Sequence, residues 1–196
     1  MEKSLQSILV GIESKLKDIK APILDRLKPG ITEQTVRDVF SGLDLPEQII
    51  ELYAWRNGTT VDGTEKLGET WLLPMGCFMS ANRVMAVYKR EAGVYDDWSL
   101  GKLPLFESRG GEYFLIDIDR QSDTRGMVFF HSSGAVDHDI IITKYDSLET
   151  MLRSIEICFE RRAYFWGNGL LKADFLLERE INMANNPESK YWKLFN

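Results

Sequence analysis

The chain has 196 residues, enough for one self-supporting domain, and its hydrophobic share of 44% and charged share of 28% exclude bulk disorder. No apolar run approaches the roughly 20 residues that a bilayer span requires, so we expect no membrane partner. The formal net charge of −6 argues against direct binding to nucleic acid, because that partner selects a basic face.

Two features indicate a cytoplasmic protein. The amino terminus lacks the basic start and the apolar segment of a secretory signal. The two cysteines, Cys77 and Cys158, form neither a CxxC pair nor a disulfide framework. We therefore expect both to be buried free thiols, since a free cysteine usually behaves as a small hydrophobic residue.

Apolar periodicity predicts three helices in the first third of the chain. The first covers residues 5–19, after a possible N-cap at Ser4. Thr32 is predicted to cap the second. The third begins at Pro46, which suits the first helical position because it lacks an N–H group, and Asn57-Gly58 is predicted as its C-cap.

The middle of the chain predicts a sheet. Residues 71–75 have the pattern of a strand that ends near Pro74, and Ser80 can cap a fourth helix. From Trp98 to Tyr145, short runs of β-branched and aromatic residues are separated by glycine-bearing turns. That pattern is typical of an antiparallel meander.

After the meander, Asp146 is predicted as the N-cap of a long helix, with Glu149 completing a capping box. The apolar stripe continues to Trp166 and ends at Gly167-Asn168-Gly169, and a further helix is predicted over residues 171–183. The aromatic tail at 191–195 is apolar enough to dock on the body of the protein. Together the elements predict a single-domain α+β fold over residues 1–196, in which a central antiparallel meander sheet is flanked by N- and C-terminal helices.

The negative charge is concentrated in the predicted sheet. Residues 91–149 hold 5 basic and 12 acidic side chains, whereas residues 1–90 hold 12 of each and residues 150–196 hold 7 basic and 6 acidic. A solvated polar face would explain this excess, and so would a surface that attracts a basic partner. The candidate partner-binding residues are Asp96, Asp97, Glu107, Glu112, Asp117, Asp119, Asp123, Asp137 and Asp139.

Candidate catalytic groups are few. His131, Asp137, His138 and Asp139 could hold a divalent metal, but their spacing fits no standard metal site, and turn or rim positions explain them better. Asp117 and Asp119 would lie on one face of a strand, where an acid–base pair is possible and a solvent-facing edge is favoured. No nucleophile elbow, metalloprotease helix, P-loop or dinucleotide-binding motif is present. The sequence is not typical of an enzyme.

Five short motifs follow one another along the chain. They are Leu45-Pro46 … Leu52-Tyr53 … Asn57-Gly58; Trp98 … Leu103-Pro104-Leu105-Phe106; Gly110-Gly111-Glu112-Tyr113 … Ile116-Asp117; Gly126-Met127-Val128; and Tyr145-Asp146-Ser147-Leu148-Glu149. Their order resembles that of the SUKH superfamily, which covers cell-wall-synthesis regulators of fungi and many bacterial toxin-immunity proteins. The resemblance extends over about residues 43–165 and leaves helical flanks at 1–42 and 166–196. Glu112 departs from it, since the family often has Asp or Asn there.

The resemblance implies an α+β fold without catalytic residues and, for bacterial members, direct binding of a cognate toxin that is often a nuclease. We therefore expect a non-enzymatic immunity protein that needs no metal or cofactor and binds a basic toxin domain. The alternatives are a regulatory scaffold related to the fungal regulators and a metal-dependent hydrolase built on His131, His138 and Asp139. The resemblance implies mainly structural roles for Pro46, Gly58, Trp98, Pro104, Phe106, Gly110, Gly111 and Gly126.

Overall fold

A computed structural model describes residues 3–94, 98, 100–132 and 140–195. Within these residues, α-helices α1 to α6 cover Leu5–Asp18, Glu33–Val39, Glu47–Trp55, Ala81–Glu91, Leu148–Glu160 and Phe175–Asn185. Strands β1 to β10 cover Leu27–Pro29, Arg56–Thr59, Trp71–Leu73, Gly76–Phe78, Lys102–Glu107, Glu112–Asp117, Val128–Ser132, Ile140–Tyr145, Tyr164–Gly167 and Leu170–Ala173. Short 3₁₀ helices cover Pro22–Asp25, Leu67–Thr70 and Trp192–Phe195. None of the helices in this part of the chain is long and apolar enough to cross a membrane.

The central sheet confirms the predicted meander. Six antiparallel strands follow the order β3-β4-β5-β6-β7-β8, so each strand pairs with the next one along the chain. Two small antiparallel pairs lie outside this sheet, β1 with β2 and β9 with β10. The fold is therefore α+β, with helices before, within and after the sheet, as the sequence predicts.

Local capping explains where three of the helices begin. The hydroxyl oxygens of Ser4, Thr32 and Ser80 accept hydrogen bonds from backbone amides three residues later. These contacts confirm the predicted N-caps, since each satisfies an amide that has no partner inside its helix. The apolar stripe of α1 is fully buried at Ile8 and Ile12, and α1 packs against α5 and α3.

A row of aromatic rings connects the helices to the sheet and the sheet to the C-terminal tail. Neighbouring ring centroids lie 5.0 to 6.1 Å apart, within the range of favourable aromatic pairs. Trp192 at its end is only 1% exposed, which confirms that the tail docks on the body. The row runs through Phe40, Tyr53, Phe78, Phe106, Phe114, Phe130, Tyr191 and Trp192.

The predicted C-cap at Asn57-Gly58 is wrong, because the chain passes directly from α3 into β2. Gly58 lies inside that strand with a φ of +74°. A Cβ atom at this position would lie 2.2 Å from the backbone nitrogen of Ser80. The Asn57 side chain instead accepts a hydrogen bond from the backbone amide of Ala81, 3.0 Å away, at the start of α4. Gly58 is therefore needed for a close approach of two backbones.

The N-cap predicted at Asp146 is also wrong by one residue. Ser147 caps α5, and Thr150 completes the reciprocal pair of side-chain hydrogen bonds. The Asp146 carboxylate accepts a hydrogen bond from the backbone amide of Glu188 at 3.1 Å. It therefore anchors the C-terminal segment, a contact that the local sequence does not reveal.

The helix predicted to reach Trp166 ends at Glu160, and the chain forms the β9–β10 hairpin instead. Asn168 and Gly169 make its two-residue turn with φ of +57° and +74°, as expected for an Asn-Gly turn between paired strands. The predicted start of the last helix at Leu171 is wrong for the same reason, since α6 begins at Phe175. The strand end predicted near Pro74 is confirmed, because β3 ends at Leu73 and Pro74 and Met75 form the turn to β4.

Candidate functional site

The sequence offers nine acidic side chains as candidates for contact with a partner, and the structure describes five of them. Asp96, Asp97, Asp137 and Asp139 lie outside the described residues, as does His138. The remaining five candidates lie on β5, on β6 and on the loop of residues 118–127 that connects β6 to β7, which we call the 118–127 loop.

Glu107 and Glu112 are engaged by neighbouring side chains. Glu107, at the end of β5, is 8% exposed and accepts two hydrogen bonds from the Arg83 guanidinium, at 3.3 Å from Nε and 2.9 Å from Nη2. Glu112 is half-buried, and its carboxylate accepts a hydrogen bond from the Ser108 hydroxyl. Both carboxylates thus stabilise the end of the β5–β6 hairpin.

Asp117 organises the 118–127 loop from inside. The interpretation of Asp117 as part of a solvent-facing pair is wrong, because Asp117 is only 1% exposed. Its Oδ2 accepts hydrogen bonds from the hydroxyls of Ser122 and Thr124, each at 2.7 Å, and its Oδ1 accepts one from the Asp119 amide at 2.9 Å. Burial alone would raise the pKa of Asp117, but these donors lower it below the usual value.

The same loop is held from outside by Asp44. The carboxylate of Asp44 accepts hydrogen bonds from Arg120 Nη2 at 2.6 Å and from Arg125 Nη2 at 2.5 Å. The two guanidinium groups, that of Arg120 first, hold the pKa of Asp44 well below its usual range. Asp44 was not predicted from the sequence, because it precedes its partners by more than 70 positions and no local pattern links them.

Asp119 and Asp123 remain at the surface of this braced loop. Both residues are exposed, whereas Asp117 below them is buried. Asp119 also accepts a hydrogen bond from the Gln121 amide at 2.9 Å, which orients its carboxylate. Among the described candidates, these two present negative charge to solvent from a backbone that internal hydrogen bonds hold in place.

His131 lies in the core and not at the floor of a cleft. It is 0% exposed, and its ring centroid is 5.1 Å from that of Trp98 and 6.3 Å from that of Tyr113. Within the part of the chain that the structure describes, no three His, Cys, Asp or Glu side chains converge to hold a metal ion. Both cysteines are buried and free as expected, and burial raises the pKa of each thiol.

The motif residues occupy positions that shape the sheet. Trp98 is buried, and its indole N–H donates to the carbonyl of Lys102 at 2.8 Å. Phe106 is buried between Phe78 and Phe114. Pro104 lies beside the irregularity in the β5–β6 register. Gly111 and Gly126 adopt φ of +107° and +87° in the turns before β6 and β7, and Gly110 precedes the first of them. Pro46 is the N-cap of α3, so its prediction as the first helical residue is wrong by one position.

Comparison with protein-family models matches residues 31–154 to the family described as SMI1 / KNR4 family (SUKH-1). This segment contains α2 to α4, the whole six-stranded sheet and the first half of α5. It leaves α1, β1, the β9–β10 hairpin and α6 outside the match. No curated protein matches the chain significantly.

Proposed function

The chain belongs to the SMI1 / KNR4 family (SUKH-1), and from that membership we propose that it is an immunity protein, which binds a toxin directly and neutralises it without catalysing a reaction. Family membership is the observation that carries this proposal, since it is consistent with an immunity or regulator-like role. The family match covers the six-stranded sheet and three of the helices, so the proposal concerns the central part of the fold.

The charge of the molecule supports a basic partner. The net charge is −6, and the negative excess falls between residues 91 and 149. Complementary charge steers two proteins into encounter and accelerates association, and a rigid acidic loop offers that charge without a large ordering cost. We therefore propose Asp119 and Asp123 as the described residues that contact the toxin, which would be a basic domain such as a nuclease.

The experiment begins with the gene that neighbours this one. If it encodes a protein with a toxic domain, that domain is produced alone and together with the chain in a susceptible host. The proposal predicts that the chain restores growth and forms a complex with the purified domain, measured by calorimetry. A domain that remains fully toxic and binds no chain would refute the proposal, and so would a neighbouring gene whose product is not toxic.

Charge reversal then tests the surface. The double variant Asp119→Lys and Asp123→Lys should slow association about tenfold or more at low salt, because steering by the acidic loop is reversed. The matched control is Glu160→Lys with Glu188→Lys, which makes the same change of charge at exposed positions outside the family match. An equal effect of both double variants on the association rate would contradict the assignment of the 118–127 loop.

A further inference from the structure

A polar cleft of about 470 Å³ lies beside β4 and the end of β5. In the strand order of the sheet, β4 is far from β8, the strand to which the C-terminal tail is hydrogen-bonded. Its walls come from the β1–β2 pair, from β4 and from the end of β5, and the first turn of α4 opens onto it. The segments meet there because Gly58 lets β2 approach the N-terminus of α4 closely. The lining residues that matter for its chemistry are Lys28, Thr59, Val61, Ser80, Arg83, Glu107 and Arg109.

Three cations and one carboxylate line the cleft. Arg83 and Glu107 neutralise each other through their two hydrogen bonds. Arg109 forms an ion pair with Glu65. Lys28 is half-exposed, and no carboxylate among the described residues pairs with it. The cleft therefore carries a positive charge of about one that the surrounding residues do not balance.

Two hydroxyl-bearing residues, Thr59 and Ser80, also line the cleft. Thr59 is 5% exposed, and its buried hydroxyl is placed to donate to the Cys77 sulfur, so it serves as part of the cleft wall. Ser80 is the N-cap of α4, and no acidic residue lies in the first turn of that helix. The positive end of the helix dipole is therefore not compensated by its own side chains.

We propose that this cleft binds a carboxylate group. A carboxylate matches the unbalanced charge of about one, accepts hydrogen bonds from the Lys28 ammonium and the Ser80 hydroxyl, and leaves its methylene stem against Val61 on the rim. A phosphate dianion fits less well, because its second charge would have no counter-charge and would lie near Glu107. The carboxylate can come from a free organic acid or from a glutamate side chain of a protein. This inference does not rest on the proposed function.

The test is a titration of the full-length protein, followed by amide chemical shifts. The probes are glutarate, an acetylated and amidated Gly-Glu-Gly peptide, its Gly-Gln-Gly analogue and inorganic phosphate. We expect saturable shifts at Thr59 and Ser80 with glutarate or the Glu peptide, at dissociation constants of about 1 mM. Lys28→Met should weaken binding about tenfold, because it removes a charged donor. Lys89→Met removes an exposed lysine of α4 and should leave the affinity unchanged.

The results of the titration distinguish the two sources of the carboxylate, and they also show whether the proposal itself is wrong. Binding of the Glu peptide alone assigns the carboxylate to a protein side chain, and equal binding of glutarate assigns it to a small acid. Both results support the proposal. The absence of saturable shifts with either probe overturns it, as does equal binding of the Gln peptide or of phosphate. Binding that Lys28→Met leaves intact in a folded protein also overturns it, whereas Lys28→Arg should retain most of the affinity. None of these results depends on a toxin.

Discussion

Replacing Lys144 with methionine should change how the stability of the protein depends on pH. Lys144 lies on β8 and is 7% exposed. Its Nζ is 4.2 Å from the ring centroid of Tyr191, 4.7 Å from that of Phe114 and 5.1 Å from that of Trp192. Burial lowers the pKa of Lys144 from 10.5 to about 8, while the nearby charge of Glu178 acts in the opposite direction. The ring faces also favour the charged amine.

The direction in which stability changes with pH follows from the number of protons bound by the folded and the unfolded protein. Between about pH 8 and pH 10.5 the unfolded chain keeps a proton on Lys144 that the folded protein has released. The free energy of unfolding therefore rises with pH across this window, by about 1.4 kcal/mol per pH unit and about 3 kcal/mol in total. Below pH 8 both states hold the proton and this contribution is absent. Cys77 and Cys158 act in the opposite sense above their usual pKa, since burial raises the pKa of both thiols.

Comparison with the variant isolates the lysine, because the thiols are common to both proteins. Urea unfolding of the wild type and of Lys144→Met, measured between about pH 7 and pH 9.5, gives the difference in free energy of unfolding. That difference should be constant below pH 8 and shift by about 2 kcal/mol in favour of the wild type by pH 9.5. Lys190→Met is the control for loss of an exposed lysine in the same tail and should change stability by no more than about 0.5 kcal/mol. A difference that stays flat over the whole range would refute the buried ammonium.

Three further substitutions test close contacts by urea unfolding. Gly11→Ala should cost about 1–3 kcal/mol, because its Cβ would lie 2.0 Å from Oε1 of Glu156, and Glu156→Ala should recover part of that loss; a strictly additive double variant would contradict the clash. Gly58→Ala should cost more than Gly42→Ala, since both have positive φ but only Gly58 has a backbone nitrogen 2.2 Å from the added Cβ. Asp117→Asn should cost about 1–3 kcal/mol and accelerate amide exchange in the loop that follows it, because an amide cannot accept from all three donors; unchanged exchange would show that the loop does not depend on the carboxylate.

Much of the local structure was predictable because its causes are close in sequence. Ser4, Thr32 and Ser80 bond amides three residues away, and the turns between β3 and β4 and between β5 and β6 are short. The predictions failed where two local patterns competed. The apolar spacing up to Trp166 favours a helix, yet the Asn168-Gly169 pair specifies a two-residue hairpin turn, and β9 pairs with β10 in the structure.

The candidate surface was less predictable than the fold. Among the acidic side chains between residues 91 and 149, the sequence does not distinguish Asp117 from Asp119, two positions apart. The structure buries the first among three hydrogen-bond donors and exposes the second. The cleft beside Lys28 was equally difficult to predict from the sequence, since its charged residues come from segments up to about eighty positions apart. Net charge is a property of composition, whereas exposure of each charge depends on what packs against it.

From the amino-acid sequence alone follow the α+β class, the meander order of the sheet, the N-caps of α1, α2 and α4, and the negative balance of the region that contains the sheet. Periodicity and turn residues are local signals that extend over a few positions, and the charge balance is a property of composition, so both can be obtained without the tertiary structure. Only the tertiary structure decided which carboxylates face solvent, that Asp44 braces the 118–127 loop, and that a lysine lies among the rings of the C-terminal tail. Those contacts join residues far apart in sequence, so their geometry exists only after the core has packed.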